Sequence, residues 1–333
     1  FRENVIPRAQ MDAAGVNVIG YFPLPNLPGD AFTGRNNDGQ SGSAALNTDN
    51  YDFRVDRQIS AARKFFVRYS QRNLRDVPAV LFPLELTIAE GRIINEDRAK
   101  NVVADYSHAL SANSFWTTRL AFSRTFFPFL NQGTGFAPSN LGLPRIVDTA
   151  VDQAMFPTFE VNGYVGLGHR DHRLNAGNTY TLASSLAQTR GSHTLKFGFE
   201  GRMFRSNTTE LRAPSGEFRF NEAFTQGPDP LRASSTAGNS IASLLLGTGR
   251  TGDRLFTKYK EEAAQSFYLA GYLQDDWRLT SKLTLNLGLR YDLDTPRTER
   301  FNRLNYFDPN VRSPLAGRAP GLPDLRGRLI YMG

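Results

Sequence analysis

The chain has 333 residues, with 39 basic side chains against 32 acidic, a formal net charge of +7 and no cysteine. The missing cysteines exclude disulfide scaffolds, thiolate metal sites, cysteine nucleophiles and thiol redox switching, and the 40% hydrophobic and 12% aromatic content excludes a disordered polymer. No run of about 18 apolar residues encodes a transmembrane helix, whereas a membrane β-strand needs only about 9–11 residues. The opening Phe1-Arg2-Glu3 begins no basic and apolar leader, so no signal peptide is expected, and the chain reads as an internal piece of a longer protein.

In chain order, helical spacing predicts three turns over 8–19, and a first strand follows at 50–60 with Tyr51, Phe53, Val55 and Ile59 on one face. A tight link at 61–63 leads into 64–73, carrying Phe65, Val67 and Tyr69. The second pair is 98–110, where Val102 and Val103 occupy both parities, and 114–126, where Trp116, Leu120, Phe122 and Phe126 share one. The third is 178–188, with Tyr180, Leu182 and Leu186, and 194–209, with Leu195, Phe197, Phe199 and Met203. A two-turn helix is predicted at 239–246. The last pair is 263–279, with Phe267, Leu269, Leu273 and Trp277, and 283–293. In that final strand Leu283, Leu285, Leu287, Leu289, Tyr291 and Leu293 interleave with Thr284, Asn286, Gly288, Arg290 and Asp292.

Links within pairs are short and polar, whereas those between pairs, 74–97, 127–177 and 210–262, are long and rich in Gly, Pro, Asn and Ser. Loops beyond about 12–15 residues are uncommon in compact soluble domains. Strict short–long alternation puts every tight turn at one end of the sheet, the asymmetry of bacterial outer-membrane barrels with short periplasmic turns and long extracellular loops. The expected organisation is an extracellular loop segment over 1–49, a barrel section of about eight strands over 50–295, and a further extracellular loop segment over 296–333. The expected fold class is all-β, an antiparallel transmembrane β-barrel section. A secreted or soluble β-sandwich or β-solenoid also alternates when one face is buried, and is the rival architecture.

In hydrocarbon every backbone polar group needs an internal partner, so a spanning sheet must close, with lipid outside and water or protein inside. Shifting the last strand by one residue would turn Arg290 and Asp292 to lipid, at about 2–4 kcal/mol for the Arg alone. Tyr69, Trp116, Trp277 and Tyr291 fall near strand ends on the apolar parity, where membrane-interface aromatics belong. Asp275 shares that parity and is expected at the periplasmic rim. The polar parity carries Asp52, Arg54, Asp56, Arg68, Arg119, Lys196, Glu200, Arg202, Arg290 and Asp292, candidates for a lumen in which they pair with one another, hold a plug or meet a polar solute.

The stretch Ser266-Phe267-Tyr268-Leu269-Ala270-Gly271-Tyr272-Leu273-Gln274-Asp275-Asp276-Trp277, followed by Gly288-Leu289-Arg290-Tyr291-Asp292, resembles a barrel hairpin of TonB-dependent receptors. Asn4-Val5-Ile6-Pro7, Tyr21-Phe22-Pro23-Leu24-Pro25-Asn26, Arg54-Val55-Asp56, Phe66-Val67-Arg68-Tyr69-Ser70, His193-Thr194-Leu195-Lys196-Phe197-Gly198 and Ile241-Ala242-Ser243-Leu244-Leu245-Leu246-Gly247 resemble the Oar-like, carboxypeptidase-regulatory-domain-bearing branch abundant in acidobacteria. The resemblance implies a middle section of a larger barrel of about 22 strands. It also implies active import of a scarce or bulky solute (a glycan, peptide or metal chelate), driven by TonB with ExbB and ExbD through a plug and TonB box that no residue here matches. A surface adhesion role, or a passive or secretory pore, is the alternative function.

Other motifs carry less. Gly247-Thr248-Gly249-Arg250-Thr251-Gly252 satisfies a dinucleotide fingerprint but follows a helix instead of a strand, so a loop is expected. His169, Arg170, Asp171 and His172 group possible ligands for a divalent metal, yet no second cluster completes a shell and no metal is expected. Asp275 and Asp276 must point to opposite faces and share no substrate. No catalytic constellation or cofactor motif emerges, so an enzyme is not expected, and the scattered Lys and Arg side chains form no stripe for nucleic acid.

Overall fold

The computed structural model describes residues 5–31, 34–227, 229, 234, 237–249, 261–318, 320–321 and 323–331. In chain order the elements are α1 (Ala13–Ile19), β1 (Ala45–Ser60), β2 (Arg63–Val77), β3 (Ile93–Ser111), β4 (Ser114–Asn131) and α2 (Ile146–Thr149). There follow β5 (Thr158–Val161), β6 (Asp171–Arg190), β7 (His193–Arg212), β8 (Glu217–Phe220) and α3 (Ser240–Leu245). The last are β9 (Glu262–Arg278), β10 (Thr284–Asp294), β11 (Thr298–Glu299), β12 (Asn305–Arg312) and β13 (Arg326–Tyr331).

One antiparallel sheet dominates, in the order β1-β2-β3-β4-β6-β7-β9-β10, with β11 added against β9. Its register explains the alternation in the sequence. Val55, Val67, Ala104, Leu120, Leu182, Gly201, Leu269 and Leu293 stand in successive cross-strand pairs, one apolar row across all eight strands. The adjacent row, on the opposite face, runs Arg54, Arg68, Val103, Ala121, Thr181, Arg202, Tyr268 and Asp294. Because side chains alternate with period two, a one-residue slip anywhere would move a whole strand's charges onto the apolar face, which fixes the register. The ambiguous Val102 and Val103 resolve through their neighbours: Val102 lies between Tyr69 and Phe122 on the apolar face, and Val103 faces Arg68 on the other.

The apolar face is uncovered. Leu289 is 74% exposed, Val55 70% and Leu120 55%, a contiguous patch far larger than a soluble monomer displays. The edge strands β1 and β10 do not pair with each other, so among the described residues the sheet is open and not closed.

The strands from β1 to β9 in this sheet are 15 to 20 residues long, beyond the roughly 9–11 needed to cross a membrane. Tight turns such as that at Gly191, with φ of 60°, hold one end level, so the excess projects toward the long connections. Those connections narrow from the expected 74–97, 127–177 and 210–262 to 78–92, 132–170 and 213–261, and β1 starts at Ala45 instead of 50. Beyond the apolar band the alternation by which the sequence marks a strand is lost, with polar side chains on both faces at Asn95–Asp97 and apolar ones on both at Phe127–Leu130, while the strands continue.

The long connections fold together into a layer with its own core. Val18, Ala89, Leu141, Phe156, Phe159, Val161, Leu167, Phe220 and Leu244 are buried there, drawn from every long connection and the N-terminal segment. Phe156 packs edge-on to Tyr21 at 4.9 Å, and Phe159 stacks on Phe218 at 5.2 Å. β5 pairs with β8 in parallel, tying two connections directly. The helix expected over 8–19 breaks at Asp12, whose extended backbone and carboxylate cap the Gly15 amide at 2.9 Å, leaving α1 and a preceding 3-10 turn over Arg8–Gln10. Gly15 is required where α1 meets α3, since a Cβ there would lie 2.2 Å from the Leu244 carbonyl oxygen. The 239–246 helix forms as α3, with the Asn239 side chain accepting from the Ala242 amide at 3.1 Å. Beyond β10, the expected loop over 296–333 contains the hairpin β12–β13, whose register shifts between Asp308 and Arg312 around Pro309 and masks its period.

Candidate functional site: the charged face of the sheet

All ten charged residues expected on one parity lie on the face opposite the apolar row, and the register sorts them into clusters. On β1 and β2, Arg68 donates to Asp52 at 2.8 Å, and Arg54 forks onto Asp56 at 2.7 and 2.8 Å while its guanidinium lies 3.9 Å over the Phe66 ring. On β3 and β4, Arg119 meets Asp105 at 2.9 Å. Across β7, β9 and β10, Arg202 pairs with Glu200, and Arg290 binds Asp292 at 2.9 Å and the Tyr268 hydroxyl at 2.7 Å, while Tyr268 in turn donates to Asp292. Arg290 also comes within 4.0 Å of Glu200, linking these pairs, and Lys196 reaches Asp276 at 3.7 Å.

The sequence does not mark Asp105 or Tyr268 as part of this face, and it marks Asp276 only as a carboxylate turned away from Asp275. Asp105 sits in the strand whose two valines blurred its parity, and its role appears only when β3 is set against β4, where Asp105 stands directly opposite Arg119. A cavity of about 350 Å³ opens between these clusters, lined by Asp105, Thr117, Arg119, Ser185, Glu200 and Tyr272. Each such pair is solvated on this open face and adds little to stability. Its larger effect is to turn a row of charges into a near-neutral field of hydrogen-bonding groups. That surface suits a polar solute or a protein segment.

The four aromatics expected at the membrane boundary lie on the apolar face. Trp116 donates from Nε1 to Ser184 Oγ at 2.9 Å, Tyr69 bonds Gln71, and Tyr291 is 70% exposed. Trp277 carries the His193 ring stacked at 5.2 Å, and His193 Nδ1 lies 2.6 Å from Asp275 Oδ2. Asp275 therefore has a cross-strand partner beside the tight turns, one that sequence spacing did not reveal, while Asp276 points to the other face. In the long-connection layer, His169 Nδ1 accepts from the Asp171 amide at 3.1 Å, and His172 is buried with Nδ1 3.4 Å from Thr134 Oγ1. Burial holds the His172 imidazole below its ordinary pKa. Among the described residues no group of three His, Asp or Glu side chains is placed to hold a metal. Of the Gly247 to Gly252 stretch, positions 250–252 lie outside the described residues, as does Asn4.

Glu299, also unmarked in the sequence, is buried where β11 meets β9. It accepts from the amides of Ala263, Phe301 and Arg303 at 2.9, 2.9 and 2.8 Å and from the Arg303 guanidinium at 2.8 Å. The Arg303 side chain foremost, with those amides, lowers its pKa to about 2.

A single twisted antiparallel sheet, apolar and uncovered on one face, ion-paired on the other, with tight turns at one end and a folded layer at the other, is the wall of a membrane-spanning barrel. Residues 1–333 match the outer membrane β-barrel domain family, and the chain belongs to it. It is a protein of the Gram-negative outer membrane. No curated protein matches it significantly. Among solved structures it is similar to the outer membrane transporter YddB from Escherichia coli (11% identity, TM-score 0.46), over 77% of this chain and 29% of that one. It is also similar to FpvA of P. aeruginosa bound to a heterologous pyoverdine with iron (12%, 0.44; 81% and 34%) and to the siderophore receptor PiuA from Acinetobacter baumannii (14%, 0.39; 77% and 36%). The chain thus spans about a third of the length of these structures.

Proposed function

We propose that the chain is part of the barrel of a TonB-dependent importer, carrying a scarce or bulky solute inward across the outer membrane. The observation that carries this reading is the register itself, which sets an unbroken apolar row through eight strands on one face and clusters of paired charges on the other. In hydrocarbon the open edges β1 and β10 would leave ladder groups unsatisfied, so in this reading further strands close a larger barrel around the charged face. The charged face then lines the lumen, with Asp52, Arg54, Asp56, Arg68, Arg119, Lys196, Glu200, Arg202, Arg290 and Asp292 offering polar contacts to a plug or to solute. The long connections face outward, where their buried core holds a fixed surface for capture. Energy comes from TonB with ExbB and ExbD, and no bond chemistry occurs. The sequence words around Arg54-Val55-Asp56 and Phe66-Val67-Arg68-Tyr69 support placement in the Oar-like branch.

Growth of isogenic strains with and without the gene, on glycans, peptides and ferric chelates supplied in turn as the limiting nutrient, tests this. A defect confined to one nutrient class and reproduced by inactivating TonB is the expected result. Equal growth on every class would end the import reading.

A further inference from the structure

The apolar face is not uniformly apolar. Its last apolar row on the long-connection side contains Tyr69, Val102, Phe122, Tyr180, Met203 and Phe267 in successive pairs. The next row on the same face, about 7 Å further along the strands, reads Gln71, Lys100, Arg124, Asn178, Arg205 and Gln265. Three cations and three amides thus form a band at one edge of the hydrocarbon-facing surface.

These cations differ in kind from those on the charged face, where Arg54, Arg68, Arg119, Arg202 and Arg290 each meet a carboxylate. Among the described residues no carboxylate lies within ion-pair distance of Lys100, Arg124 or Arg205. Arg124 donates to the Asn178 side-chain oxygen at 3.0 Å and Arg205 to that of Gln265 at 2.8 Å, both neutral acceptors. Lys100 stands directly opposite Arg124, a cross-strand like-charge pair that by itself destabilises a sheet. An anion between them reverses the sign of that interaction.

Immediately below the band, the same face is dented. Gly201 supplies no side chain, and Leu120, Leu182, Met203, Phe267 and Leu269 rim an apolar groove of about 530 Å³. Arg205 lies four positions beyond Gly201 on β7, about 13 Å along the strand, so the groove runs up to the cations.

We propose that this cation band and groove form a binding site for a phosphate-bearing lipid of net negative charge in the leaflet on the long-connection side, its phosphate held by Lys100, Arg124 and Arg205 and one acyl chain laid over Gly201. A guanidinium suits a phosphate better than an ammonium does, through paired N–H donors in a fixed plane. At the boundary of a low-dielectric slab such contacts are screened less than on an open surface. The site needs only the membrane-facing sheet, so it stands or falls separately from import.

The test is native mass spectrometry of the full-length protein in non-ionic detergent, titrated with lipid A as probe, with phosphatidylcholine and inorganic phosphate in separate arms. Stoichiometric lipid A binding is expected, weakened at least tenfold in the combined Lys100→Gln, Arg124→Gln and Arg205→Gln variant. Gly201→Leu, which keeps every charge but fills the groove, should weaken binding severalfold. Heat-modifiable gel mobility confirms that each variant is folded. Unchanged lipid A binding in the folded charge variant would overturn the proposal, as would equal binding of phosphatidylcholine or saturation by inorganic phosphate alone.

Discussion

Leu289→Arg puts a charge on the face assigned to lipid. Leu289 is central in β10, five residues from either end, 74% exposed, and paired with Leu273, which is itself paired with Phe197. An arginine at the middle of the hydrocarbon costs about 2–4 kcal/mol, and from the centre of the strand its side chain has little reach to either boundary. That corresponds to a shift of roughly 30- to 900-fold in the folding equilibrium. Were the same face bathed in water, a 74% exposed leucine could be exchanged for arginine within about 0.5 kcal/mol. The two environments therefore separate by several times the error of the measurement. Equilibrium refolding of the full-length protein from urea into lipid vesicles, followed by heat-modifiable mobility, reads the difference. Asn286→Arg, three residues away on the charged face, is the paired control and should change stability by less than about 0.5 kcal/mol. Equal, small effects at both positions would refute the lipid-facing assignment.

Phe156→Ala removes a fully buried ring at the centre of the long-connection core and should cost about 3–5 kcal/mol locally, exposing 132–170 to limited proteolysis while β1 to β10 keep their heat-modifiable mobility. Glu299 has its pKa lowered by folding, so its stabilising contribution is complete above about 4.5 and is lost as pH falls toward about 2. Amide exchange at Ala263, Phe301 and Arg303, whose N–H groups donate to Glu299, should accelerate over that interval in the native protein. In Glu299→Gln the same amides should exchange with no such pH step, measured by mass spectrometry.

The membrane sheet was legible because lipid enforces a rule at every second residue. Leu283 to Leu293 reads as a strand with no other information, and its hairpin partner follows from Phe267, Leu269 and Leu273. Legibility faded where that rule stops: Asn95–Asp97 continues its strand with polar groups on both sides and Phe127–Leu130 with apolar ones. The core around Phe156 was not legible, since it joins residues more than 200 positions apart, Val18 with Phe220 and Leu244, and no local period records such contacts. Site residues show the same division. Arg290 and Asp292 declare themselves by parity, whereas the pairing of Asp105 with Arg119, and of His193 with Asp275, depends on a register that only adjacent strands define.

Residues 1–333 contain no cysteine, so with any cysteine elsewhere in the full-length protein replaced by serine, spin labels can be placed one at a time along β10. In the full-length protein in lipid vesicles, labels at 285, 287, 289, 291 and 293 should relax with dissolved oxygen, and those at 286, 288, 290 and 292 with a water-soluble nickel complex. The two accessibilities should oscillate with period two and in opposite phase. Oscillation in the reverse phase, or a flat profile dominated by the nickel complex, would contradict an apolar face turned to lipid.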